Sequence, residues 1–136
     1  LDKFNRINDS LGHPYGDYVI QTVAKIMVKN VRTIDVVARY GGEEFAIILI
    51  NTTAEMGLVV AQRIVDNIAD YPFSMNGETV QMTISGGMSE YPTHSEDSKN
   101  LIDLADKAMY ASKQNGGNGI IIYNNENHVV EEKHEN

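Results

Sequence analysis

The tetrapeptide Gly41-Gly42-Glu43-Glu44 sets two adjacent carboxylates behind two glycines, the residue type that lets a backbone approach a ligand closely. Two hard oxygen donors side by side suit a divalent cation such as magnesium. A solvated acidic turn would have the same composition, so the tetrapeptide alone decides nothing. The formal charge, 11 cationic against 19 anionic side chains, is −8. Such a surface repels polyphosphates, which argues against a nucleic-acid polymer as partner and requires any phosphate substrate to arrive with a metal ion. There is no cysteine, which excludes a disulfide framework, a thiolate metal site and cysteine redox chemistry.

Holding those acids in place calls for a scaffold, and 136 residues suffice for one domain with its own core. From Pro14 to Val31, Val19, Val23 and Ile26 recur at helical spacing, with Ile20, Ala24, Met27 and Val31 on the adjoining stripe and Pro14 suited to a first turn. Ile34–Tyr40 and Phe45–Ile50 are β-rich runs that predict a hairpin with the acidic pair at its tip. Thr52 and Glu55 read as a capping box ahead of a helix bearing Leu58, Ala61, Ile64, Val65 and Ile68, which Pro72 ends. Asn76-Gly77 predicts a turn, and Thr79–Ile84 a strand that meets Ser85-Gly86-Gly87.

Leu101, Leu104, Ala105, Ala108 and Ser112 share a helical face, Asn115-Gly116-Gly117-Asn118 stops that helix, and Gly119–Tyr123 reads as a last strand. The order predicts an α+β domain over residues 1–124, with helices on a mostly antiparallel sheet, and a polar acidic tail over 125–136. The apolar runs fall far short of the roughly 20 residues that span a bilayer, and no signal peptide opens the chain, so a cytoplasmic module is expected.

Context gives the tetrapeptide its meaning. It follows Ala38-Arg39-Tyr40 and precedes Phe45, and upstream stands Phe4-Asn5-Arg6-Ile7-Asn8-Asp9-Ser10-Leu11-Gly12-His13-Pro14-Tyr15-Gly16-Asp17. Thr83-Ile84-Ser85-Gly86-Gly87 and Ala105-Asp106-Lys107-Ala108-Met109-Tyr110-Ala111-Ser112-Lys113 follow in order. Together these blocks strongly resemble the GGDEF family of diguanylate cyclases, in a GGEEF variant, over nearly the whole chain to Tyr123. The resemblance implies a palm-like (ferredoxin-like) sheet, similar to that of class III nucleotidyl cyclases and polymerases. It implies condensation of two GTP into cyclic di-GMP with release of pyrophosphate, by a homodimer using Mg2+ or Mn2+. It further implies an upstream sensory or regulatory domain, which would make this the cytoplasmic output of a larger, in some cases membrane-anchored, protein.

Residue by residue, Asn8 and Asp17 resemble the family's guanine readers, an amide and a carboxylate that together satisfy acceptor and donor edges of that base. His13 stands at another substrate-contacting position and Lys113 at a phosphate-facing one. Glu43 resembles the main metal ligand and catalytic acid/base, Glu44 adds a second carboxylate, and Leu1 would offer its backbone carbonyl. Arg32 and Asp35 resemble the inhibitory product site, with Arg63 as a secondary contact. Each has a plainer alternative: Asn8-Asp9-Ser10 as a turn, Asp17 as a first-turn acid, Arg32–Asp35 as a surface ion pair, Arg63 as a solvated helix face.

The match departs from the family at four places. The family's metal-binding aspartate belongs immediately before Leu1, together with a strand that is missing here, so the natural chain is expected to extend upstream. Asp2 is not expected to replace that aspartate, since it lies one strand repeat away. Asn5 stands where lysine is common and Gly117 where arginine is common, and a charged hydrogen bond is worth about 1.5–3 kcal/mol; Arg6 could partly offset the first loss. Three readings follow: a working cyclase with product feedback, a catalytically weak receptor for GTP or cyclic di-GMP, and a ferredoxin-like interaction domain. The first requires the Glu43-Glu44 tip and the Asn8–Asp17 segment to face one nucleotide.

Overall fold

The computed structural model describes residues 1–124, and the tail over 125–136 lies outside the described residues. The elements are α1 (Phe4–Leu11), α2 (His13–Asn30), β1 (Val36–Arg39), β2 (Phe45–Ile48), α3 (Ala54–Asp70), β3 (Phe73–Met75), β4 (Glu78–Val80), β5 (Ser85–Met88), α4 (Ser98–Gln114) and β6 (Gly119–Ile122). The strands form three pairs. β1 and β2 are the antiparallel hairpin, with Val36 opposite Ile48 and Arg39 opposite Phe45. β3 and β4 are a second antiparallel hairpin, whereas β5 and β6 run parallel with α4 as their crossover. Between the β1–β2 and β5–β6 pairs sits the start of the chain: the Leu1 nitrogen donates to the Glu43 carbonyl and the Asp2 N–H to the Thr83 carbonyl.

The core lies under α2 and α3. Val19, Val23, Val65, Ile68 and Phe73 are its most deeply buried side chains, and Leu1, Phe4 and Ile7 join the same cluster. Both long helical faces are thus those that periodicity indicates, except that Leu58 and Ala61 of α3 are only half-buried while Ala54 and Gly57 are buried.

Five local features differ from the sequence reading. Asn8-Asp9-Ser10 is not a turn but part of α1, because Phe4 and Ile7, three residues apart, anchor that helix in the core. The cap of α3 is Thr53, whose hydroxyl accepts from the Met56 N–H at 3.2 Å; Thr52 is unavailable because its hydroxyl donates to the Ile50 carbonyl and accepts from Arg32. The strand expected over Thr79–Ile84 is two shorter ones, β4 ending at Val80 and β5 beginning at Ser85. Ser85-Gly86-Gly87 is therefore strand, not the end of one. The glycine has a packing reason: a Cβ on Gly87 would overlap the Ala105 carbonyl and the Met109 nitrogen of α4, so backbone meets backbone there. β3 was not read from the sequence, since three residues carry too little periodicity.

Tyr15 of α2 ties that second hairpin down. Its hydroxyl reaches the Phe73 carbonyl at 2.7 Å and the Glu78 carbonyl at 3.0 Å, and the ring is 3% exposed. Burial pushes the phenol above its ordinary pKa. Among the described residues no helix is long and apolar enough to cross a membrane. Tyr15→Phe removes the one buried hydroxyl proton that these two carbonyls share, so it is expected to cost about 1–3 kcal/mol. Urea unfolding midpoints of the two proteins check this.

Candidate active site

A cleft of about 280 Å³ opens where α1, α2 and the β1–β2 tip converge, and it is lined by Asn5, Asn8, His13, Asp17, Arg39 and Glu43 among others. Thus Asn8, His13, Asp17 and Glu43, scattered over some 35 positions of sequence (43 less 8), share one wall-to-wall space. α1 and α2 present the first three. Gly12, at φ 89°, joins the helices and donates to the Asn8 carbonyl at 3.0 Å, which turns both toward the cleft. The first turn of α2 holds no acidic residue, so Asp17 sits past the region where the helix dipole would favour it.

Asn8 lies directly against α2. A Cβ built on Gly16 would overlap the Asn8 side-chain oxygen and come within 3.0 Å of the Phe4 ring, so glycine is what allows the two helices to close around the cleft.

The tip is shaped by its own backbone. The N–H groups of Tyr40 and Gly41 both donate to the Glu44 carbonyl, at 2.8 and 3.3 Å. Arg39 then clamps the turn from inside, with Nε 2.9 Å and Nη2 2.6 Å from the Gly42 carbonyl. The sequence reading missed Arg39. Its hint was a cation at a strand end, two residues ahead of glycines whose carbonyls have no ladder partner. Among the described residues the carboxylates of Glu43 and Glu44 are taken up by no hydrogen bond or ion pair, and no three acidic or histidine side chains form a metal-binding group.

Glu44 is not part of the cleft wall; its carboxylate lies near Gly41, with Oε1 3.5 Å from where a Gly41 Cβ would be. Lys113 lies in the last turn of α4 and, like Leu1 and Asp2, is not among the residues that line the cleft. Asp2 has a different environment from the two glutamates: burial opposes its charge, but hydrogen bonds from Ser85, Asn118 and Thr83 prevail and hold its carboxyl below the ordinary value.

Arg32, Asp35 and Arg63 lie outside this wall. Arg32 grips Asp35 in a fork, Nη2 to Oδ1 at 2.8 Å and Nε to Oδ2 at 3.1 Å, and also donates to the Ile50 carbonyl and the Thr52 hydroxyl. That fork holds the Asp35 carboxyl well below the usual carboxylate range. Arg63, exposed on α3, caps the end of α2 instead: Nε meets the Asn30 side-chain oxygen at 2.9 Å and Nη2 the Asn30 carbonyl at 2.8 Å.

Helices laid on paired strands, with an acidic hairpin tip turned toward a cleft, make this an α+β domain of the palm-like cyclase type. The chain belongs to the GGDEF family: the family profile described as "Diguanylate cyclase, GGDEF domain" matches residues 1–119. It is 42% identical over 125 residues to Diguanylate cyclase A of Treponema denticola, covering 92% of this chain and 34% of that protein. It is 36% identical over 123 residues to the response regulator PleD of Caulobacter vibrioides, covering 89% of this chain and 27% of that protein. The chain spans about a third or less of the curated relatives it matches. Among solved structures, the GGDEF domain of PA1120 (TpbB or YfiN) from Pseudomonas aeruginosa superposes with a TM-score of 0.87 at 32% identity, over 95% of this chain and 76% of that one. The active GGEEF domain of a diguanylate cyclase from Vibrio cholerae gives 0.81 at 33% identity, over 90% and 78%.

An alanine inside a helix ordinarily stabilises by about 1 kcal/mol over glycine. At position 16 the overlap with Asn8 outweighs that gain, so Gly16→Ala is expected to destabilise, and to destabilise less when Asn8 is also alanine. A double-mutant cycle by urea unfolding reads the coupling; additive effects would remove the contact.

Proposed function

We propose that this chain is the catalytic domain of a diguanylate cyclase, joining two GTP molecules into cyclic di-GMP and releasing two pyrophosphates. The observation that carries this is the cleft in which Asn8, His13, Asp17 and Glu43 meet. Family membership and the diguanylate cyclases among its relatives support it. Asn8 and Asp17 read the guanine, the amide and carboxylate matching its acceptor and donor edges. His13 contacts the nucleotide from the first turn of α2, and Lys113 pairs with phosphate oxygens.

The donor set suits a hard divalent ion: two carboxylates unclaimed by protein donors and the Leu1 backbone carbonyl, with remaining positions left to water and phosphate oxygens. When bound there by Glu43, Glu44 and Leu1, Mg2+ or Mn2+ supplies the positive charge that a triphosphate needs beside a chain of net charge −8.

The chemistry requires two copies. The 3′-hydroxyl oxygen of one GTP bonds to the α-phosphorus of the other while the bond from that phosphorus to pyrophosphate breaks, and the hydroxyl proton passes to Glu43. Repeating this in the opposite sense closes the ring, so two clefts face each other in a homodimer. An upstream sensory or regulatory domain, for which the greater length of the relatives leaves room, sets that alignment. A solved relative is described in complex with c-di-GMP, and the Arg32–Asp35 pair with Arg63 is our choice for a product-binding site here. Filling it would exchange the internal fork for contacts to guanine or phosphate.

Glu43→Gln in the full-length protein is expected to lower turnover of Mg2+·GTP about 10²–10⁴-fold while guanine nucleotide binding is kept. Near-normal synthesis of cyclic di-GMP by that variant would remove Glu43 from the chemistry. Asn5 and Gly117, neutral where cations are common in the family, favour a second reading as a receptor. Arg32→Ala separates the two: in a cyclase with feedback its progress curves stay linear as product accumulates, whereas a receptor shows no turnover and loses cyclic di-GMP affinity.

A further inference from the structure

Asp2 has no place in the mechanism above, yet its carboxylate accepts three hydrogen bonds. Oδ2 accepts from the Thr83 hydroxyl at 2.7 Å and from the Asn118 N–H at 3.0 Å, and Oδ1 accepts from the Ser85 hydroxyl at 2.6 Å. All three donors are neutral. Thr83 and Ser85, two apart on the extended run into β5, present their hydroxyls on one side, while Met82 and Ile84 are buried on the other. Asn118 belongs to the turn between α4 and β6, four residues after the last residue of α4 (118 less 114).

That turn closes onto the carboxylate. Gly117 stands at φ 75°, and a Cβ built on it would lie 2.8 Å from the Asp2 Oδ2 and 3.1 Å from the Ser85 hydroxyl, so the backbone itself forms the wall. On the other side of Asp2, its N–H donates to the Thr83 carbonyl at 2.9 Å. This N–H and the Leu1 carbonyl share one planar trans peptide unit, so the bond to Thr83 turns the Leu1 carbonyl oxygen the opposite way. The same peptide chain is pinned one residue earlier by the Leu1 nitrogen on the Glu43 carbonyl at 3.2 Å.

We infer that Asp2 is a positioning residue of the nucleotide cleft: one carboxylate rivets the Leu1 peptide and the turn that ends α4 to β5, and so sets the spacing between the Leu1 carbonyl, Glu43 and Lys113. It acts by accepting hydrogen bonds and not by holding a cation: three of its acceptor sites are filled by protein donors, whereas those of Glu43 and Glu44 are open. The inference rests on the cyclase reading, because it assigns Asp2 to the part of the cleft that meets the triphosphate. None of its side-chain hydrogen bonds reaches α1 or α2, which build the guanine end.

The test compares two affinities in the full-length protein by calorimetry: a non-hydrolysable GTP analogue with Mg2+, and guanosine, which has no phosphate. Asp2→Ala is expected to weaken the analogue about tenfold or more and to leave guanosine unchanged. Asp2→Asn, which still offers an amide oxygen to the Asn118 N–H, is expected to recover analogue affinity to within about threefold. Ser85→Ala, which removes one donor and keeps Asp2, is expected to weaken the analogue by a smaller factor and decides the matter should Asp2→Ala fail to fold. Analogue binding unchanged in Asp2→Ala or in Ser85→Ala overturns the inference. So does Asp2→Asn as weak as Asp2→Ala, which would make the charge itself a metal ligand. Wild-type protein that binds neither ligand overturns the cyclase reading, and the inference with it.

Discussion

A carboxylate with no protein donor is stable only where water or a cation can meet it, and this chain keeps two such groups side by side on a five-residue turn. Everything around the cleft accommodates that constraint. The backbone of Tyr40 and Gly41 folds the turn onto the Glu44 carbonyl, and Arg39 spends its guanidinium on the Gly42 carbonyl, so the local cation shapes the turn without neutralising the acids. The repulsion between Glu43 and Glu44 therefore stays available to be relieved by whatever cation enters. In a chain of net charge −8, a cation held there would offset charge that the rest of the surface does not.

The cleft divides into two ends built by different means. One end is made by two helices that meet at Gly12 and close at Gly16, where helix packing places Asn8, His13 and Asp17. The other is the hairpin tip, where Glu43 lines the cleft and its carbonyl accepts from the Leu1 nitrogen.

The two arginines read as a regulatory pair are both occupied in this structure, one by Asp35 and the other by Asn30. Arg32 ties the loop before β1 to the segment after β2, and Arg63 caps α2 from α3. Each contact joins elements that also support the cleft, through the hairpin in one case and through α2 in the other. A ligand that took over either guanidinium would therefore be linked to the site through the scaffold and not through space.

Much of this was legible in the residues themselves. The long helices follow from apolar periodicity, the hairpin from β-rich runs around two glycines, and the family from blocks whose residue types and spacing are read without any structure. Those are local properties, carried by near neighbours in sequence. What the tertiary structure decided is which distant groups share a space. α1 is a helix because Phe4 and Ile7 find a core, although Asn8-Asp9-Ser10 alone resembles a turn. Thr53 caps α3 because Arg32, 20 residues earlier (52 less 32), claims Thr52. Asp2 is consumed by donors 81, 83 and 116 residues away, while the Glu43 carboxylate is left open. Hydrogen-bond partners so far apart leave no periodic trace, because the chain brings them together only after its elements have packed.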